Sequence, residues 1–231
     1  MKRFWKEVAT AQGEAGWGIE LDGRPLRTPA RSLLAVPSKS LANAIAEEWS
    51  GVGEAVDPRA MPLTGLANAA IDRVGADRQA FADSLARYAE TDLACYRTDA
   101  PQGLAGRQAE AWDALLAWAR RRYDVDFATT TGLTHVTQPP ATVERLSHEV
   151  ASLDAFHLAA LSPLVTIGGS LVGALAVVEK AMTAAEVWEA VTVDDRWQLE
   201  QWGSDAEAEL ALDNRRHDFL AAAKLLELLD A

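Results

Sequence analysis

Cys95 is the one thiol in this chain of 231 residues, and a cysteine that acts as a nucleophile needs a base beside it and a depressed pKa. No histidine stands near it in sequence, so the fold would have to bring a base to it; the alternative is a small buried hydrophobe. Ser170 sits among glycines, but Gly169-Ser-Leu-Val-Gly173 is not the G-x-S-x-G of a nucleophile elbow. Neither a phosphate-cradling G-x-x-x-x-G-K-[ST] nor a strand-led G-x-G-x-x-G occurs. Helix packing accounts for these glycines. His135, His148, His157 and His217 form no H-x-x-x-H pair and no H-E-x-x-H. A single cysteine rules out an internal disulfide and any multi-cysteine metal site. No metal and no cofactor is expected.

The carboxylates are the remaining chemistry. Residues 183–213 hold nine acids, among them Asp194, Asp195 and Glu200, against one base, Arg196: a net of -8 in a chain whose formal charge is -12. Paired carboxylates serve acid–base catalysis, but these recur along helices with no companion histidine or metal motif. Two readings stand, a solvated acidic face and a protein-binding face. Interleaved Trp188, Trp197 and Trp202 favour the second, since tryptophan is enriched at interface hot spots, although on an amphipathic helix each also serves as core. On the binding reading Asp194, Asp195 and Glu200 meet basic residues of a partner, with Trp202 as the apolar anchor. Neighbouring helical residues point about 100° apart, so at most one of Asp194 and Asp195 faces that partner fully. The competing class of function is a small-molecule enzyme with a site assembled from scattered residues such as Cys95, His157 and Asp195. The acidic balance argues against nucleic acid and anionic membrane as partners, because both need a positive field.

These side chains must be placed by the elements around them. The stretch 158–178 has no charged side chain and is long enough on its face to span a bilayer, for which about 20 apolar residues suffice. Ser162-Pro163 divides it, because a serine oxygen caps free N–H groups and proline at the first helical position loses no hydrogen bond. The remainder, 163–178, covers about 24 Å, short of a hydrocarbon core of about 30 Å. It is expected as the buried central helix of a protein with no membrane insertion, with Gly168, Gly169, Ser170 and Gly173 admitting close neighbours.

Ahead of it, Trp17, Ile19 and Leu21 alternate with polar or small residues and run into Asp22-Gly23, the pair that supplies positive φ in a hairpin turn. Residues 4–9 and 33–36 are the expected partner strands. Pro37-Ser38 opens a first helix with Leu41, Ile45 and Trp49 on one face, which gives Trp49 a structural role. Thr64 and Asp77 are the expected caps of helices 65–73 and 78–90. A helix over about 104–123 carries Trp112, Leu115, Leu116 and Trp118 on its apolar face. Residues 126–135 are expected to be extended, and a helix runs from 142 to 161. The capping boxes Thr183-Ala-Ala-Glu186 and Ser204-Asp-Ala-Glu207 predict helices 184–202 and 205–229. The expected fold class is α+β: a small N-terminal antiparallel β domain with its first helix, 1–60, followed by a larger helical domain, 61–231, around 163–178. The start of the chain lacks the apolar core of a signal peptide, so a cytoplasmic monomer is expected.

Several blocks resemble the F1-ATP synthase assembly chaperone family, whose members hold the new α subunit until it meets β. They are Phe4-Trp5, Leu21-Asp-Gly-Arg-Pro-Leu-Arg-Thr-Pro29, Ala46-Glu-Glu-Trp49, Met61-Pro-Leu-Thr64, Tyr88-x-x-Thr-Asp-x-x-Cys-Tyr-Arg97, Gln108-x-x-x-Trp-Asp113 and Gln198-x-x-x-Trp-Gly203. Together they cover nearly the whole chain in order. The resemblance implies a small β domain on a helical domain, no catalytic activity, no cofactor, and the F1-ATPase α subunit as partner. It also makes Trp112 and Asp113 part of the family's structural pattern. Ala114 stands where the family usually has proline, and with no mitochondrial presequence the chain resembles a bacterial member.

Overall fold

The computed structural model describes residues 2–132, 134–203 and 205–231. Contacts group the chain into two compact units, one of the residues through Arg78 with Asp154–Ala160 and Ala221–Ala231, the other of Gln79–Leu153 and Leu161–Leu220.

The first unit carries an antiparallel sheet. Strands β1 (Val8–Gly13) and β2 (Gly16–Leu21) pair with Val8 opposite Leu21 and Gly13 opposite Gly16. β3 (Arg24–Pro25) and β4 (Ala35–Val36) both pair with β2. Alternation holds on β2, where Ile19 and Leu21 are buried. Asp22 and Gly23 take φ of +50° and +73°, the positive pair that a tight turn into β3 requires. Gly16 is obligatory for a different reason: at φ +119° a Cβ there would lie 2.5 Å from the Val36 carbonyl oxygen. The partner strand begins at Val8, not at residue 4. The Asp22 carboxylate takes the Lys6 and Glu7 amides at 3.0 and 2.9 Å, ending the ladder. Trp5 turns inward, its ring 5.1 Å from that of Trp49.

Helix α1 (Lys39–Ser50) starts where Ser38 Oγ accepts the Leu41 amide at 3.1 Å, and it buries Leu41, Ile45 and Trp49. Helix α2 (Pro62–Ala69) starts earlier than its predicted cap, because the cap comes from elsewhere. The Glu48 carboxylate of α1 accepts the amides of Leu63 and Thr64, each at 2.8 Å, and the Thr64 hydroxyl at 2.6 Å. A carboxylate facing two free N–H groups and the positive end of a helix is a stronger cap than a hydroxyl.

The second unit is helical. α3 (Arg78–Ala86) ends in a 3-10 turn, Arg87–Glu90, and α4 (Gln102–Tyr123) buries Trp112, Leu115, Leu116 and Tyr123 before Asp124, at φ +54°, stops it. β5 (Tyr96–Arg97) and β6 (Thr130–Thr131) form a short parallel pair; β6 falls within the stretch expected to be extended, and β5 was not expected. α5 (Pro140–Ser152), α6 (Ala155–Gly168), α7 (Leu171–Val178), α8 (Ala184–Val191), α9 (Val193–Trp202) and α10 (Ala206–Leu229) complete the chain.

Three predicted helices are each divided. The helix 142–161 breaks before Asp154, whose carboxylate accepts the Phe156 and His157 amides at 2.8 and 2.9 Å and so starts α6. The central helix 163–178 is not one helix. Pro163 lies inside α6, Gly169 at φ +68° ends it, and Ser170 Oγ accepts the Gly173 amide at 2.9 Å to cap α7. The serine that caps is therefore Ser170, because a left-handed glycine before it stops a helix more firmly than an interior proline starts one. The apolar run is still core: Leu171 through Val177 are all buried. Among the described residues no helix is long and apolar enough to cross a membrane. The helix 184–202 parts at Thr192, whose hydroxyl bonds the Trp188 carbonyl at 2.7 Å. The Thr183–Glu186 capping box is formed on both sides. Ser204 lies outside the described residues; Asp205 accepts the Glu207 amide at 3.1 Å at the head of α10.

Candidate functional site

α9 carries all the acids singled out for binding, and the fold sends them to different neighbours. Asp194 is half-buried and accepts Nε2 of Gln108 at 2.8 Å, while Gln108 Oε1 takes the Thr98 amide at 2.8 Å. Asp195 pairs with Arg215 of α10 at 2.7 Å. Glu200 pairs with Arg107 of α4 at 2.8 Å, and that guanidinium lowers the Glu200 pKa while its own is raised. The three acids therefore do not converge. Asp195 and Trp202 do share a groove of about 510 Å³ between α9 and α10, whereas Glu200 borders another, of about 540 Å³, with Arg107 and Arg196.

The tryptophans divide by the same geometry. Trp188 is buried against Phe219, ring centroids 5.4 Å apart. Trp197 lies half-buried under the Arg107 guanidinium, 4.9 Å from its ring centroid. Trp202 is 81% exposed. It occupies the last turn of α9, ahead of Gly203 at φ +84°. Arg215 and Arg107, which answer two of the acids, went unassigned in the sequence; Arg215 lies just past the acidic stretch, and its spacing from Asp195 has no helical signature because a turn intervenes.

Cys95 is fully buried and desolvation pushes its thiol up to about 12, with the Asp92 charge adding to the effect. It is a thiol, not a thiolate, at neutral pH. His157 Nδ1 lies 2.9 Å from Asp154, and Asp195 is held by Arg215, so each member of the scattered-site reading is engaged locally. Among the described residues no group of histidine, cysteine and carboxylates could hold a metal ion.

The blocks that carry the family resemblance have internal tasks. Asp22 holds the amides of Lys6 and Glu7, and Thr28 donates to Asp72 at 2.7 Å. Glu48 caps α2. Trp49 is buried beside Trp5. Asp92, wholly buried, takes the Ser170 hydroxyl and the Val172 and Ala94 amides. Burial pushes its carboxyl up in pKa, and these donors pull the other way. Arg97 joins two blocks: it lies over the Trp112 ring, 5.4 Å from the centroid, and reaches Asp113 at 2.9 Å. Trp112 Nε1 donates to the Ala190 carbonyl at 2.7 Å. The last block differs, for both Gln198 and Trp202 face solvent.

A small antiparallel sheet ahead of a helical body, with these blocks in these positions, defines the class of assembly chaperones that the motifs resemble. The ATP12 chaperone protein family matches residues 2–120, and the chain belongs to it. The crystal structure of Atp12 from Paracoccus denitrificans superimposes with a TM-score of 0.93 at 42% identity, covering 99% of this chain and 98% of that one. The Atu1473 protein of Agrobacterium tumefaciens does so with a TM-score of 0.94 at 37% identity, over 99% of this chain and 86% of that one. Protein atp12, mitochondrial, of Schizosaccharomyces pombe is 26% identical over 215 residues, 88% of this chain and 74% of that protein. Membership makes the chain a chaperone of ATP synthase assembly.

Proposed function

We propose that this chain binds the unassembled α subunit of F1 and keeps it from aggregating until it pairs with β, as a cytoplasmic monomer and without catalysis. The contact is made by α9, with Trp202 as the anchor, Asp195 as the charge beside it in the same groove and Glu200 as a charge on the neighbouring groove, both meeting basic residues of the client. Asp194, turned toward Gln108, contributes by fixing the helix. The observation that carries this reading is Trp202, a large apolar side chain 81% exposed at the end of an acid-rich helix. Aromatic anchors of this kind supply most of an interface's energy, while surrounding charges raise the association rate and set the salt dependence.

The test is a set of single changes, Asp194→Lys, Asp195→Lys, Glu200→Lys and Trp202→Ala. Suppression of α-subunit aggregation and the salt dependence of binding are measured beside thermal stability. Trp202→Ala should weaken binding at all salt concentrations, and the reversals at Asp195 and Glu200 chiefly at low salt. If all variants stay folded and bind the α subunit like the parent, the acidic face is solvated surface only.

A further inference from the structure

We propose that the hairpin of α9 and α10 is a groove for one amphipathic helix of the client, apolar where it inserts and basic along its flanks. This rests on the α-subunit reading above and names what the site takes.

α9 presents Asp195, Leu199 and Trp202, and α10 presents Ala208, Leu212 and Arg215, around a cavity of about 510 Å³. Both sets recur at spacings of three or four, so each is one stripe of a helix. Gly203 closes the hairpin at one end and the Asp195–Arg215 pair, at 2.7 Å, bridges it towards the other. Between those ties the stripes do not interlock. Alanines 208 and 211 stand where larger side chains would fill the space, and Trp202 is left 81% exposed. α10 is exposed from Ala206 to Asp218 except for half-buried Leu212, and becomes core only at Phe219. An apolar stripe left this exposed gains little from packing, which is where most helical stability in proteins comes from.

Two helices offer no free row of N–H and C=O groups, so an extended segment laid in the groove would leave its own backbone unpaired. A helix brings its backbone already satisfied, and anchors at i, i+3 or i+4 and i+7 match grooves of this kind. The seven helical steps along α9 from Asp195 to Trp202 give about 10 Å of groove, two turns of such a helix. Charge decides between a partner and a second copy of this chain. Asp205, just ahead of α10, and Glu207, Glu209 and Asp213 in its first half stand exposed and outnumber Arg215 and Arg216. A second copy would bring the same acids against them, whereas a basic-flanked helix is attracted.

The probes are two synthetic amphipathic helices of one pattern, leucine with lysine and leucine with glutamate, titrated into the full chain. Emission of Trp202 is read as the difference between the parent and Trp202→Phe. A groove-filled variant, Ala208→Leu with Ala211→Leu, is checked for its fold by circular dichroism, and purified F1 α subunit is bound to parent and variant in parallel. The expected result is a blue shift of Trp202 with the lysine peptide alone, none in the filled variant, and α-subunit binding weakened about tenfold by filling. No shift with the lysine peptide, an equal shift with the glutamate peptide, or a shift that grows with protein concentration without peptide overturns the proposal. If the α subunit binds parent and filled variant alike, the groove falls and the chaperone reading stands; if it does not bind the parent, both fall.

Discussion

The Asp92 carboxylate accepts the Ser170 hydroxyl at 2.9 Å with no part of Asp92 exposed to water. Ser170 caps α7 through its own oxygen, so one serine both starts that helix and ties it to the turn at Leu93–Cys95, where Asp92 accepts the Ala94 amide. The Val172 amide at 2.9 Å completes the arrangement. A buried carboxyl surrounded by donors at a helix start ties α7 to that turn.

Removing it leaves those donors buried and unpaired. Asp92→Ala is expected to destabilise the chain by about 3 kcal/mol, the desolvation cost of such groups. Asp92→Asn keeps one acceptor oxygen and should lose less. The pH dependence has a definite sign: burial holds the folded carboxyl above its ordinary 3.8. The folded state therefore keeps the proton longer than the unfolded one, and stability falls as pH rises from 3.8 through the folded pKa. Denaturant unfolding of the three proteins at a series of pH values checks this, and Asn should flatten the slope.

Trp49 closes the Leu41, Ile45, Trp49 stripe and packs on Trp5, whose indole N–H donates to the Trp49 carbonyl at 3.3 Å. Trp49→Arg should cost about 3–5 kcal/mol, through loss of a buried aromatic and introduction of an unpaired charge. A thermal midpoint equal to the parent's would overturn the structural role.

Leu171, fully buried in the first turn of α7, offers a sharper case. Leu171→Asp puts a carboxylate next in sequence to Val172, whose amide already serves Asp92, and into apolar surroundings, so soluble folded protein is not expected. Recovery of a monodisperse, cooperatively unfolding variant would contradict the burial of α7.

Much of the fold is legible in the sequence, and the differences have local causes. Ser38 and Thr183 cap as read because serine or threonine followed by a helical pattern carries its own partner three residues on. The cap of α2 was illegible because Glu48, which supplies it, belongs to another helix. The apolar stretch parts at Gly169, not at Pro163, because a positive φ is invisible among glycines that packing also explains. Composition located the acidic face of α9, but whether an acid is free depends on long-range partners such as Arg107 and Arg215. Trp202 is far more exposed than Trp188 and Trp197, and that difference comes from the hairpin that α9 makes with α10.

Asp154 and His157 set a second pH response. The His157 hydrogen bond is the first cause holding the Asp154 carboxyl down at about 2, and Asp154 in turn raises His157 above its ordinary 6.5, with Asp230 adding to it. The Asp154 contribution is present above 3.8 and lost as pH falls through about 2. That of His157 is complete below 6.5 and lost as pH rises through the folded value. The thermal midpoint should therefore fall as pH rises from 6.5 through the folded value in the parent, and by less in His157→Gln. An equal fall in both proteins would assign the response elsewhere.

Arg107 and Glu200 provide the closing prediction, because their pair is exposed on both sides, at 47% and 50% of each side chain. An ion pair of that kind holds little stability against water and salt. Glu200→Gln should leave the thermal midpoint within experimental scatter, freeing Arg107 over the Trp197 ring. The same change removes a negative charge from the face proposed to meet the α subunit. Its association rate should drop at low salt and approach the parent's at high salt, where a Debye length of about 3 Å screens the charge. Stopped-flow association across a salt series, read beside thermal melts, separates the two effects. A lowered midpoint with an unchanged rate would make Glu200 a structural residue of the α4–α9 contact and remove it from the binding face.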